Sequence, residues 1–223
     1  MIVLERVTKI VVNDGKRRKV LSSVSMTIPT DRRIALLGTS PEDNKTLIDI
    51  LAGKSLPNSG RVIRKARVSY PVGDVSGFDV DMTVRSNVAY VARLYGADVK
   101  STVAFVERMA RLGPAFGKRY RDLTGSEKTE LGRILTYSIP FDLYLLNREV
   151  TGDKGPQSAS FALLEARIAQ SAGIIAAADK PQFVRRRCEM GLVLHDGALM
   201  AFADIEQALS VMRFLREKKY ASN

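Results

Sequence analysis

The chain has 223 residues, 45% of them hydrophobic, with a single cysteine and a net charge of +11. That size and composition predict one globular core with a subdomain, and the lone Cys188 excludes an intrachain disulfide. No uncharged apolar run reaches the ~18 residues needed to span a bilayer, so the expectation is a compact cytosolic domain, neither secreted by an ordinary leader nor integral to a membrane.

Residues 2–12 read as a strand, and further on Val24, Met26 and Ile28 alternate with Ser23, Ser25 and Thr27. Alternation of that kind is the period of a half-buried antiparallel strand, and Asn13-Asp14-Gly15 predicts a hairpin joining the two. Ile34 to Leu37 is a buried-strand run ending at Gly38; six residues intervene before Lys45-Thr46, which open a short apolar helix closing at Gly53. Strand, loop and helix in that order form the frame of a phosphate-binding loop. In such a loop, glycines let successive N–H groups converge on phosphate oxygens at a helix N-terminus.

The chemistry inside the frame is different. The pattern calls for Gly, Lys and then Ser or Thr, and those places hold Asp43, Asn44 and Lys45. Pro41 removes an N–H donor, while Glu42 and Asp43 bring two negative charges. Asn44 stands where an ammonium would neutralise the outer phosphates, and Lys45 where a hydroxyl would bind magnesium. Sliding the frame by one residue makes Lys45-Thr46 the Lys-Thr pair, yet leaves no Gly before the Lys. The competing reading is an ordinary loop feeding a helix, with Glu42 and Asp43 as favourable first-turn acids and Thr46 as a cap or packing residue.

Residues 83–112 carry two helical patterns, with Val99, Val103, Val106 and Met109 on one face; residues 78–138 are expected to form a helical subdomain. The runs LYLL and GIIAAA, together with IALL, predict parallel strands alternating with helices in a doubly wound α/β core. Asp196-Gly197 predicts a late hairpin, and residues 204–219 a basic terminal helix. His195, the only histidine, sits at that hairpin and reads as a turn or strand residue rather than a catalytic one, and Cys188 as a small buried apolar residue. Basic residues cluster at Lys16 to Lys19, Arg61 to Arg67, Lys118 to Arg121, Arg185 to Arg187 and Arg213 to Lys219. Solvated surface is the first reading of these clusters and membrane proximity the second. Without Trp or aromatic interleaving they do not point to nucleic acid.

From LERVTKIVV at the start to VLHDGAL near Leu199, the chain resembles the ATP-binding-cassette subunits of transporters. The branch that exports capsular or related bacterial polysaccharides is suggested by ARVSYPVG followed by SGF and NVAYVARLYG, by FDLYLLNREVTGD, and by EMGLVLHDGALMAF. The resemblance implies a P-loop NTPase-like (RecA-like) α/β core with an antiparallel β subdomain and a helical subdomain, residues 1–223 forming a single nucleotide-binding domain. It implies nucleotide contacts at Gly38, Thr39, Ser40, Asn44, Lys45, Thr46 and Asp79, the last standing at the place of a hinge glutamine. The signature loop that closes over a partner's nucleotide falls at Leu123-Thr124-Gly125-Ser126-Glu127 and keeps a hydroxyl and a glycine.

Other working positions are substituted. The acidic pair that would hold magnesium and polarise water reads Asn147-Arg148, with Glu149 one residue on, and the switch histidine is Asp179. The aromatic residue that would stack on adenine has no counterpart among Val11, Val12 and Asn13. Asp153, in Thr151-Gly152-Asp153, resembles the loop by which two cassettes touch and reads equally well as a solvated turn. Phosphoryl transfer depends on cationic stabilisation, a metal and a positioned water, and losing one such donor commonly costs roughly 3–4 kcal/mol of barrier. These substitutions therefore predict weak ATP binding and a doubtful Mg2+ site, and leave no residue that can be assigned a catalytic role.

Three readings stand at this point: an ATP-hydrolysing exporter subunit with atypical motifs, a non-hydrolysing or regulatory partner cassette, and a non-enzymatic basic adaptor at the membrane surface. The expected partners are a membrane permease subunit and a second cassette, as a homodimer or as a heterodimer with an intact ATPase. The chain would then lie peripheral to the inner membrane through a partner. A homodimer of this chain alone would contain no good catalytic site, which weighs against the first reading, while a retained signature loop beside substituted phosphate and metal positions favours the second.

Overall fold

In the computed structural model, which describes residues 1–13, 15–147, 158–177 and 181–221, the chain divides into two compact units. The first comprises Met1–Pro71, Phe141–Val150 and Ser171–Asn223; the second comprises Val72–Pro140 and Thr151–Gln170.

Numbered in chain order, the first unit contains β1 (Ile2–Asn13), β2 (Lys16–Ile28), β3 (Arg33–Gly38), α1 (Pro41–Ala52), β4 (Ser59–Arg64), β5 (Val68–Pro71) and β6 (Leu143–Asn147). It continues with β7 (Gly173–Ala177), α6 (Pro181–Arg187), β8 (Met190–His195), β9 (Ala198–Phe202) and α7 (Ile205–Ala221). Two sheets result: antiparallel β2-β1-β4, and β5-β6-β7-β3-β8-β9, parallel except for β9. The alternation read from Val24 to Ile28 and the apolar runs IALL, LYLL and GIIAAA therefore fold as expected. Every residue of β7 is buried, which is why its sequence runs apolar without a break. Ile2, Leu4 and Leu21 of the first sheet, Leu47, Ile48 and Leu51 of α1, and Ile34, Leu36, Leu145 and Ile175 of the second sheet form one core cluster. Each such side chain stabilises the fold by roughly 1.5–3 kcal/mol relative to exposure.

Asp196 (φ 45°) and Gly197 (φ 80°) make the expected tight turn between β8 and β9, a geometry that requires positive φ at both residues. At the far end of α1, Gly53 (φ 83°) returns its N–H to the Asp49 and Ile50 carbonyls and stops the helix where expected. The start of α1 differs from expectation. The helix begins at Pro41, four residues before Lys45, and the segment read as loop is its first turn. The physical reason lies in the residues that replace the loop's glycines. Ser40 caps the helix, Pro41 has its φ preset for the first helical position, and Glu42 and Asp43 lie in the turn where acids favour the dipole.

The second unit holds α2 (Val84–Leu94), α3 (Val99–Ala110), α4 (Gly125–Ser138) and α5 (Ala159–Ala169), with short 3-10 turns at Gly113–Gly117 and Tyr120–Asp122. Thr83, Asp98, Thr124 and Ser158 each cap a helix through the side chain. Val103 and Val106 of the predicted α3 face are buried, and Val99 and Met109 half-buried. Helices α4 and α5 run side by side in the same direction and terminate each other. The Glu130 carboxylate accepts from Ser160 N–H (3.0 Å) and Oγ (2.7 Å) at the start of α5. The Arg167 guanidinium donates to the Tyr137 (2.7 Å) and Ser138 (3.0 Å) carbonyls at the end of α4.

Candidate functional site

In an open, mostly parallel sheet, ligands bind beyond the carboxyl ends of the strands. Here β3 lies between β7 and β8, and it ends at Gly38 with Thr39 and Ser40 as its whole connection to α1. The donors and acceptors of that connection largely satisfy one another. Ser40 Oγ accepts from Asp43 N–H (3.3 Å) and donates to Glu42 Oε2 (3.0 Å), while Asn44 N–H donates to the Ser40 carbonyl (3.2 Å). Thr46 Oγ1 donates back to the Glu42 carbonyl (2.8 Å), one turn earlier in α1, whose cap is Ser40. Lys45 pairs with Asp49 one turn on (2.6 Å) and keeps a side chain 56% exposed.

Asn44 points inward. It is 3% exposed, and its amide lies so close to Gly38 that a side chain on the glycine would collide with it. Among the described residues, three buried side-chain oxygens have no hydrogen-bond partner: Asp43 Oδ1, Asn44 Oδ1 and Asn147 Oδ1. All three are acceptors.

Two contacts at this loop escape a reading of the sequence. Arg18, on β2 and opposite Val11 in the hairpin register, forms a salt bridge from Nη1 to Asp43 Oδ2. The hydrogen bond to Asp43 is the main reason the guanidinium holds its proton more tightly than usual, with the charges of Asp43 and Glu42 adding to it. Its only trace in the sequence was membership of the basic cluster at Lys16 to Lys19, which reads as solvated surface. The second contact is His195 Nδ1 to Thr39 Oγ1 at 3.3 Å; it follows from β8 pairing with β3 up to Gly38 and Leu194. His195 Nε2 also lies 3.3 Å from Asp196 Oδ2. His195 thus ends a strand as expected, and also touches the loop.

Asn147 is the last residue of β6, paired in register with Ala177 of β7. Arg148, Glu149, the Thr151-Gly152-Asp153 turn and Asp179 lie outside the described residues. At the hairpin end of β1, Val11 is half-buried and Val12 is 62% exposed.

Asp79 and the 123–127 loop belong to the second unit. Asp79 Oδ1 accepts from Asp81 N–H (2.8 Å), and its backbone is gripped by Asn87, whose Oδ1 accepts from Asp79 N–H and whose Nδ2 donates to the Asp79 carbonyl, each at 2.8 Å. Thr124 and Glu127 form a reciprocal capping box at the start of α4. The Glu127 carboxylate, bonded by Thr124 N–H and hydroxyl, is held below its ordinary pKa. A side chain built on Gly125 would meet no atom within 4 Å, so this glycine faces open space. Ser126 and Glu127 line a cavity of about 100 Å³ together with Glu130, Arg133 and Ser158. Among the described residues, no group of His, Cys, Asp and Glu is arranged to hold a metal, and no helix is long and apolar enough to cross a membrane.

No family model matches the chain. It is similar to the polysialic acid transport ATP-binding protein KpsT of Escherichia coli, with 33% identity over 153 residues that cover 68% of each chain. It is also similar to the capsule polysaccharide export ATP-binding protein CtrD of Neisseria meningitidis, with 26% identity over 210 residues, 93% of this chain and 96% of that one. Among solved structures it is similar to a dimeric ATP-binding cassette in a post-hydrolysis state bound to ADP and Pi, with a TM-score of 0.68 and 15% identity, covering 90% of this chain and 97% of that one. At that identity the structural likeness speaks for the fold, which is that of a cassette ATPase.

Proposed function

As this chain belongs to the ATP-binding-cassette family of transporter ATPases, we propose that it serves a capsule-type polysaccharide exporter as a non-hydrolysing partner cassette. The whole chain acts as one cassette, with the Val72–Pro140 and Thr151–Gln170 unit as its helical subdomain. It reaches the membrane through a permease subunit.

The observation that carries the proposal is the start of α1 at Pro41. In this reading the loop as folded does not fit a magnesium triphosphate. Pro41 has no N–H, those of Asp43 and Asn44 are bonded within the turn, and the Thr46 hydroxyl is turned onto the Glu42 carbonyl. The carboxylates of Glu42 and Asp43 repel phosphate, and Asn44 carries no charge with which to offset them. We therefore assign no hydrolytic step to this loop. The signature loop supports the other half of the proposal. Thr124 and Glu127 fix its backbone, Gly125 leaves room for a ligand held by another molecule, and Ser126 keeps a hydroxyl beside it.

The test is phosphate release measured on the full chain alone and mixed with an intact cassette of the same exporter. The chain alone releases no phosphate from magnesium ATP, and the mixture turns over faster than the intact cassette by itself. Gly125→Trp, which places a bulky ring at a position where a Cβ meets nothing within 4 Å, abolishes the gain, and a matching circular-dichroism spectrum checks that the variant is folded. Steady magnesium-dependent turnover by the chain alone, or a gain untouched by Gly125→Trp, overturns the proposal.

A further inference from the structure

We propose that the antiparallel sheet β2-β1-β4 carries a site for a small sugar bearing an oxyanion, and that Arg6 is the residue that receives the oxyanion. The site stands whether or not the chain turns over ATP.

In β1, Arg6 is one residue more than either neighbouring strand can pair. Toward β2 the register passes from Leu4 opposite Met26 to Val7 opposite Val24, and toward β4 from Glu5 opposite Arg61 to Thr8 opposite Ser59. Strand β2 answers with an extra residue of its own between Val24 and Leu21. An extra residue bends a strand and re-aims a side chain. The bends leave Arg6 (φ 48°) and Ser23 (φ 51°) in the left-handed region, where a Cβ is unfavourable. Across from the bulge stands Gly60 (φ 80°), where a Cβ would run into the Arg6 carbonyl. Backbone held in this way is found preferentially where a ligand is gripped. Among the bent strands lies a concavity of about 630 Å³, a size that suits a small molecule.

The lining decides the ligand. Apart from Gly60 it consists of charged and hydroxyl side chains, with no ring to stack on a base and no apolar wall for a lipid tail. Glu5 and Arg61 face each other in the register, and Arg61 Nε donates to Glu5 Oε2, so their charges cancel. Thr8 Oγ1 is taken up by the Ser23 N–H (3.0 Å). Arg6 donates its backbone N–H to Ser25 Oγ (3.0 Å), and among the described residues its guanidinium has no partner. The hydroxyls of Ser23 and Ser59, in the same lining, are likewise used by no other described residue.

A guanidinium fork matches the paired oxygens of a phosphate or a carboxylate. Hydroxyls, which both donate and accept, match the hydroxyls of a sugar. The concavity therefore offers one uncompensated cation flanked by hydroxyls, the complement of an acidic sugar. A solvated arginine requires no bulge behind it; this one is aimed by an extra residue in β1 and by a glycine with no room for a side chain.

The experiment titrates the full chain by calorimetry, without metal and at low salt, with glucose 6-phosphate, glucuronate, inorganic phosphate and glucose. At least one of the two acidic sugars is expected to bind roughly tenfold or more tightly than phosphate or glucose, and the one that does identifies the oxyanion. Arg6→Gln lowers that affinity by roughly tenfold or more. Arg6→Gly has the same effect, and glycine suits the positive φ at this position, so it answers the question even where the glutamine variant fails to fold. Failure of both acidic sugars to bind overturns the inference, as does an affinity that survives the loss of the Arg6 side chain. Inorganic phosphate binding as tightly as the acidic sugars overturns it too, because the hydroxyls would then contribute nothing. None of these outcomes depends on a second cassette, so the partner-cassette reading and this one fail separately.

Discussion

Gly38 and Asn44 share one small volume, and what happens there is decided by single atoms. A Cβ on Gly38 would collide with the Asn44 amide, which is buried and cannot step aside into water. Gly38→Ala is expected to destabilise the fold by about 1–3 kcal/mol through overpacking. Asn44→Ala in the same chain should recover most of that loss, and urea unfolding of the two single variants and the double variant measures the coupling. Additive losses would show that the two residues do not compete for space. Cys188 makes a second prediction at this scale. Burial pushes its thiol up to about 12 from an ordinary 9.0, against the opposing charges of Arg33 and Arg187. Between those two values the unfolded chain releases a proton that the folded chain keeps, so stability falls as pH rises, by up to about 1.4 kcal/mol per pH unit. Below pH 9.0 this group adds no pH dependence. A thiol reagent at pH 8 should accordingly label the folded chain slowly and the urea-unfolded chain at once; rapid labelling of the folded chain would contradict the burial.

Secondary-structure elements show how far local signals carry. The alternation at Val24, Met26 and Ile28 and the unbroken run at GIIAAA each named their strand correctly, because burial on one face or on both leaves a distinct pattern. The start of α1 was misplaced for the opposite reason. The spacing from Gly38 to Lys45 suggests a phosphate loop, but Ser40, Pro41, Glu42 and Asp43 are individually strong helix-start residues, and the local signals prevailed over the frame. Strand β4 was illegible because its residues are exposed or half-buried, so no apolar period marks it. The Arg18 contact could not be read at all, since it joins positions 25 apart through the packing of α1 beside β2. Helices α4 and α5 give a prediction of their own. Lying parallel, they set like ends of their dipoles side by side, and Glu130 and Arg167 supply the opposing charge at each end. Glu130→Ala and Arg167→Met should each cost about 1–3 kcal/mol, since each orphans backbone or hydroxyl groups of a helix end. The two ends are about 10 Å apart along the helix, so the losses should add. Urea midpoints of the two single variants and the double variant decide this.

Across the whole molecule, charge is the dominant uncompensated quantity. The net +11 already counts every acid, so no internal pairing reduces it, and pairs such as Arg61 with Glu5 and Arg85 with Glu107 contribute little individually. Self-repulsion of that size is screened as the Debye length falls to about 10 Å at 0.1 M salt. The melting temperature should therefore rise between low salt and physiological salt, and a fall would mean that the ion pairs outweigh the repulsion. The two-residue link between Gly38 and Pro41 has a consequence for how such a protein can change over time. Placing a lysine at position 44 alone would bury an ammonium against the Gly38 backbone, inside a turn already wound. Placing a glycine at position 43 alone would loosen that turn without supplying the missing charge. Each single replacement disturbs a helix that is already wound, so converting this loop into a phosphate loop requires several replacements at once.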